Sequence, residues 1–270
     1  MITKEIKSKI LDRFDNKEEK ILVSNILDKA YRYEKLEKVE VTQFLNLNEY
    51  TIISQILDYL KVKYYTYISN EYADKKIIFF VPEYITVDTK FYSNYISCIK
   101  ATMSVFNTIK KIGHKDYMGS IYNLGIKSEN IGDIFVKGNS CYFIVLNQVK
   151  EYILQNLTYV GRNKVLLDEI TLDNKELTEF KVNIVDKDYV VPSLRVDAIC
   201  SSVFNLSRSQ IKDKIVKGDL CINDRIVYSS SEVIKIGDII SFRKCGRIIV
   251  KEEIKTTKSG NTLLKIGKFN

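Results

Sequence analysis

The sequence holds one histidine, two prolines and five cysteines in 270 residues. A single histidine, His114, cannot supply zinc sites of the three-histidine or two-cysteine, two-histidine kinds. A Ser-His-Asp triad would have only that residue to use, and no Gly-x-Ser-x-Gly elbow accompanies it. No Gly-rich Walker loop and no GxGxxG run is present. The cysteines at 98, 141, 200, 221 and 245 are never closer than 21 residues, so no CxxC pair exists. Solitary cysteines in a lysine-rich chain predict reduced, buried thiols in a cytoplasmic protein. The most apolar run, Ile77 to Val81, stops at Pro82, far short of the ~20 residues of a membrane span. The charged start, Met1 to Lys7, is unlike a secretory signal. These lacks predict a protein with no cofactor, no bound metal, no membrane partner and no catalytic residue, that is, not an enzyme.

What is abundant is charge of one sign in one place. The chain carries 42 Lys+Arg against 34 Asp+Glu, a net of +8. Residues 181–270 hold 17 of those cations against 10 acids, and five of the eight arginines. A neutral body with a basic last third predicts one module that meets an anionic partner.

Periodicity divides the chain further. Residues 1–62 read as helical: Asn16 caps a helix to about Glu37, and a second runs from about Asn48 to Leu60 with Ile52, Ile53, Ile56, Leu57 and Leu60 on one face. Strands are predicted at 63–68, 76–81, 95–103, 133–137, 141–146 and 164–169, and helices at 114–124 and 147–158. Lys137-Gly138-Asn139-Ser140 reads as a hairpin turn, and Gly132-Asp133 as a turn entering a strand. Gly119 is expected to allow close helix packing and Gly125 to end a helix. The order is that of a ferredoxin-like sandwich. The fold class is therefore α+β, with domains at 1–75 (helical), 76–181 (ferredoxin-like) and 182–270 (core 192–250). The last opens on a strand from Phe180 to Val185, then two helices and a short sheet.

The basic third carries the chemistry. Ser207 followed three residues later by Gln210 has capping-box spacing, so a helix should begin there. Ile211 and Ile215 then face a core, while Arg208 and Lys212 lie one turn apart facing outward. Cations around a helix start, where backbone N–H groups are free, make a phosphate site. Gly218 is a left-handed cap after Lys217. Strand–turn–strand follows from Leu220 to Val227, and Gly237-Asp238 turns into the strand Ile239 to Phe242. The candidate contacts to that anionic partner are Arg195, Ser207, Arg208, Ser209, Gln210, Lys212, Lys217, Asn223, Lys244 and Arg247, which the resemblance below makes RNA contacts. Ser207 doubles as a helix cap and Asn223 as a turn former. His114, after Gly113 at a helix start, reads as a cap or an RNA contact, not as a catalyst.

Leu194-Arg195-x-Asp197, Ser207-Arg208-Ser209-Gln210, Lys217-Gly218-x-Leu220-x-Ile222-Asn223 and Gly237-Asp238-Ile239 together resemble the small RNA-binding domain of the ribosomal-protein-S-four type. The usual Val-Asn-Gly turn stands here as Ile222-Asn223-Asp224. Upstream, His114 to Ile121, Leu124-Gly125-Ile126 and Ile131-Gly132-Asp133-Ile134 resemble the middle domain of bacterial YlmH-type proteins. That likeness implies a ribosome-associated factor that binds ribosomal RNA and tRNA on the large subunit, in quality control of stalled nascent chains. The same small domain also accompanies pseudouridine synthases, methyltransferases and tyrosyl-tRNA synthetase. The Gly-Arg-Leu-Asp strand, glycine-rich cofactor loop and ATP motifs of those enzymes are absent. The N-terminal helices leave a docking role for protein partners open beside RNA binding.

Overall fold

The computed structural model describes residues 2–70, 73–104, 112–174, 184–223, 225–243, 245–257 and 260–269. The chain is α+β and divides into two compact units, Met1–Phe180 and Lys181–Asn270.

The first unit opens with helices α1 (Lys4–Leu11) and α2 (Lys17–Leu36). Asn16 starts α2 by accepting from the N–H groups of Glu18 at 2.8 Å and Glu19 at 3.3 Å, which occupies first-turn donors that have no intrahelical partner. Two short strands, β1 (Glu40–Val41) and β2 (Leu45–Asn46), interrupt the region read as helical. Helix α3 (Leu47–Tyr59) then begins on a capping box between Asn46 and Glu49. Strands β3 (Tyr65–Ile68) and β4 (Lys75–Phe80) follow. β4 is the middle of the first sheet: β3 pairs along one edge, and β1 and β2 take the other.

Burial on both sides explains the apolar run in β4. Ile78 and Phe80 pack with Val23, Ile26, Leu27, Ile53 and Leu57 of the helices. Ile77, Phe79 and Val81 face away, into a second cluster with Ile96, Cys98, Phe135 and Ile144. A strand covered on both faces loses the usual polar alternation.

That second cluster belongs partly to a five-stranded sheet. Its elements, after the short helix α4 (Thr89–Ser93), are β5 (Ile96–Met103), α5 (His114–Asn123), β6 (Ile131–Lys137), β7 (Ser140–Leu146), α6 (Asn147–Asn156), β8 (Tyr159–Val160) and β9 (Asn163–Ile170). The strand order is β6-β7-β5-β9-β8, antiparallel throughout. This is the split βαβ order of a ferredoxin-like sandwich. Tyr117, Ile121, Ile153 and Leu157 of α5 and α6 pack on Ile99, Ala101, Cys141 and Phe143, so both helices cover one face.

Three glycines depart from or refine the sequence reading. Among the described residues, nothing beyond Gly119's own helix backbone and chain neighbours lies within 4 Å of where its Cβ would stand, so no neighbouring helix packs closely there. Gly132-Asp133 is no turn: both lie within β6. Gly132 is needed because a Cβ would sit 2.8 Å from the Phe44 ring and 3.3 Å from Ile144. Gly125 does end α5, at φ +81°.

The second unit begins, among the described residues, with β10 (Ile184–Val191). Phe180 to 183 of the expected strand lie outside them. Helices α7 (Val196–Phe204) and α8 (Arg208–Val216) follow. The sheet is larger than the short one expected. β11 (Leu220–Ile222), β12 (Arg225–Ile226), β13 (Ile239–Phe242), β14 (Gly246–Thr256) and β15 (Thr262–Phe269) join β10 in the order β10-β15-β14-β13-β11-β12. The pairing of β10 with β15 runs unbroken from Ile184↔Phe269 to Val191↔Thr262. Val196, Ile199, Cys200, Ile211 and Ile215 of the helices pack on Leu220, Ile240, Phe242, Ile248, Val250, Leu264 and Ile266.

Candidate nucleic-acid interface

The basic site grows from the start of α8. Asn205 ends α7 in the left-handed region at φ +57°, and the Ser201 hydroxyl donates to the Leu206 carbonyl at 2.7 Å. This tight corner delivers Ser207 to the N-cap of α8. Its Oγ accepts from the Gln210 N–H at 3.2 Å, and Gln210 Oε1 accepts from the Ser207 N–H at 3.0 Å. Ile211 and Ile215 are fully buried beneath the helix. Fixing those two positions turns Arg208 and Lys212, four residues apart, to the outside together. Ser207, Arg208, Ser209, Gln210 and Lys212 are all exposed. The first-turn N–H groups that the cap leaves over point along the axis beside them, and the helix dipole adds partial positive charge there. An anionic oxygen placed at this corner meets hydrogen-bond donors and two cations at once.

The other expected contacts separate. Lys217 is exposed at the far end of α8, about 13 Å along a nine-residue helix. There the Gly218 N–H donates to Ile215 O at 2.9 Å and the Asp219 N–H to Lys214 O at 3.0 Å, with Gly218 at φ +73°. This is the paired bonding of a Schellman cap. Arg195 is the N-cap residue of α7, and its guanidinium holds Asp197 through two bonds of 3.0 and 2.9 Å. Asn223 sits at φ +48°. Its side chain donates to Asp238 at 2.9 Å and accepts from the Ile239 N–H at 2.9 Å. Arg195 and Asn223 thus fasten their own turns.

Arg247 lies elsewhere again. Its neighbour Ile248 belongs to the core under the helices, and side chains alternate along a strand. Arg247 is therefore on the opposite face of the sheet, with its guanidinium carbon 4.8 Å from the Phe269 ring centre. Lys244 lies outside the described residues. His114 is the exposed first residue of α5; the Gly113 N–H beside it donates to Asp116 at 2.9 Å.

Three cations outside the expected set lie elsewhere on the second unit. Lys214 stands 5.7 Å above the Phe242 ring. The Arg243 side chain is 75% exposed, 3.6 Å from Asp219. Lys268 lies 5.9 Å from the Phe204 ring. For Arg243 the sequence signal was its place directly after the strand Ile239 to Phe242.

The first unit holds two polar groups of note, the half-buried Asp133 and the buried Ser97. Asp133 in β6 accepts from the Ser69 hydroxyl at 2.5 Å and from the N–H groups of Asp74 at 3.0 Å and Lys75 at 3.2 Å. Burial pushes its pKa up to about 6, and nearby Asp74 adds to the rise, against the lowering effect of those donors. The buried Ser97 hydroxyl lies 2.7 Å from both Asn147 Oδ1 and Glu169 Oε1. The Ser97 hydroxyl and Lys150, at 3.0 Å, hold the Glu169 carboxyl below its ordinary pKa.

Fold and site together define an α+β protein with a phosphate-suited corner on a basic module. Residues 101–174 match a family described as "Putative RNA-binding domain in YlmH". "Ribosome-associated protein quality control protein P2" of Bacillus subtilis (strain 168) is 25% identical over 248 residues, covering 90% of this chain and 92% of that protein. The solved structure of "Cell division protein ylmH from Streptococcus pneumoniae" is 19% identical, with a TM-score of 0.46, over 60% of this chain and 96% of its own. The resemblance to bacterial YlmH-type RNA-binding proteins drawn from the sequence is borne out.

Proposed function

We propose that this protein is a non-enzymatic RNA-binding factor that works on the ribosome in the cytoplasm. It contacts ribosomal RNA and tRNA on the large subunit and serves quality control of stalled nascent chains. The observation that carries the reading is the corner at Ser207, where Arg208, Lys212 and the first-turn N–H groups of α8 share one exposed space. The match of residues 101–174, in the other unit, to a family described as a putative RNA-binding domain supports nucleic acid as what the protein binds. The name of the Bacillus relative supports the ribosome as the place and quality control as the process.

Phosphate contact predicts steep salt dependence. With about four phosphates neutralised at ~0.7–0.9 counterions each, the log–log slope is about −3 to −4. Affinity for purified large subunits should then fall about 10²-fold between 50 and 200 mM monovalent salt. An affinity that changes less than about threefold over that range would remove the electrostatic basis of the proposal.

A further inference from the structure

The five-stranded sheet has one face under α5 and α6 and part of the other under the first sheet. Cys98, Ile144 and Ile170, in register across β5, β7 and β9, lie in that covered part. Four residues along β5 and β7 from that register, past Lys100 and Tyr142, Thr102 and Ser140 are only half-buried. Lys137 pairs with Ser140, Ser140 with Thr102, and Thr102 with Leu166. These four side chains form a row across β6, β7, β5 and β9 on the face turned away from the helices. On that same side Lys164 pairs with Tyr159 of β8. Leu166 is 60% exposed and Tyr159 55%, and Lys137 and Lys164 are exposed. The turn between β8 and β9 adds the exposed Arg162; Asp168 is the one exposed acid on the outward positions of β9.

We infer that this open end of the sheet is a second nucleic-acid surface, one that takes single-stranded RNA. The inference rests on the proposed RNA-binding function and assigns a separate site within it. An antiparallel sheet face offers unpaired bases a platform: Tyr159 is 55% exposed and Leu166 60%, and bases stack on exposed aromatic and apolar side chains of such a face. Lys137 ends the row on β6, and Lys164 stands two residues beyond Leu166 on β9, so a backbone crossing the strands meets a lysine on each side. The hydroxyls of Thr102 and Ser140 between them supply donors and acceptors for base edges or ribose. A protein partner meeting the same apolar patch would have to be acidic on both sides of it. The corner at Ser207 differs in kind, with charge and N–H groups but no aromatic ring, which suits the phosphates of a folded helix rather than splayed bases.

The test uses the full-length chain and two labelled RNAs, a 12-nucleotide oligouridine and a stable hairpin, with affinity read by fluorescence anisotropy. The Lys137→Glu/Lys164→Glu double variant and the Tyr159→Ala variant change only exposed side chains. Each should weaken oligouridine binding, the double variant by at least tenfold, and leave hairpin binding within twofold. Arg208→Glu should do the reverse. Oligouridine that binds both variants as tightly as wild type would overturn the sheet surface, as would a wild-type chain that binds hairpin but no oligouridine. A wild-type chain that binds neither RNA would instead sink the RNA-binding function itself. Crosslinking of 4-thiouridine-substituted oligouridine should label the peptide containing Tyr159; labelling confined to residues 184–269 would contradict the assignment.

Discussion

Replacing Asp133 by asparagine isolates the effect of a carboxylate held against solvation. Its folded pKa of about 6 stands above the ordinary 3.8. The folded state therefore binds the proton more tightly than the unfolded state. Stability from this group is fully present below pH ~4 and is lost as pH rises through about 6, the opposite of a salt-bridged acid. A shift of about two units is worth about 3 kcal/mol across the whole range, and about 1.4 kcal/mol of it falls between pH 7 and 5. For a unit of this size that is ~3–6 °C in melting temperature. Asparagine keeps an oxygen for the N–H groups of Asp74 and Lys75 but has no proton to bind. Thermal unfolding of both proteins at pH 7 and pH 5 gives the comparison. Wild type should gain those few degrees relative to Asp133→Asn on going to pH 5. Parallel shifts in the two proteins would refute a desolvated, ionised Asp133 at neutral pH.

Two smaller changes probe the packing. Tyr117 is fully buried, and its hydroxyl finds no hydrogen-bond partner among the described residues; Tyr117→Phe should raise stability by about 1 kcal/mol in urea unfolding, and a loss would reveal a partner. Ser207→Ala removes the bond to the Gln210 N–H and should cost about 1 kcal/mol, while the salt slope of ribosome binding stays unchanged because Arg208 and Lys212 keep their charges.

How much of this was legible in the sequence depended on the range of the cause. The Ser207–Gln210 cap and the Gly218 ending of α8 are set by residues three or four apart, and each stands where its spacing put it. The split βαβ order followed from alternating apolar runs and the Gly138 hairpin. The run Ile77 to Val81 marked a strand, but that it is covered on both faces depends on partners as far away as Phe135 and Ile144. β1 and β2 are two residues each, too short to show a period. Gly132-Asp133 carries a local turn signal, overridden by Phe44, which occupies the space of the missing Cβ. The Arg195–Asp197 bond was not legible, because residues two apart do not meet on a helix. At the N-cap the backbone is still extended, and its guanidinium reaches Asp197. Strand alternation alone could have moved Arg247 to the other face from Ile248.

The central claim is that the proposed grip on ribosomal RNA lies at the Ser207 corner rather than in overall charge. Arg208→Glu reverses charge there while Ile211 and Ile215 stay packed; Lys4→Glu makes the same change on an exposed position of α1. Co-sedimentation of each variant with large ribosomal subunits, beside its melting temperature, decides the matter. The account predicts that Arg208→Glu leaves the pellet with its melting temperature unmoved while Lys4→Glu sediments like wild type. Equal loss from both variants, or no loss from Arg208→Glu, would contradict it.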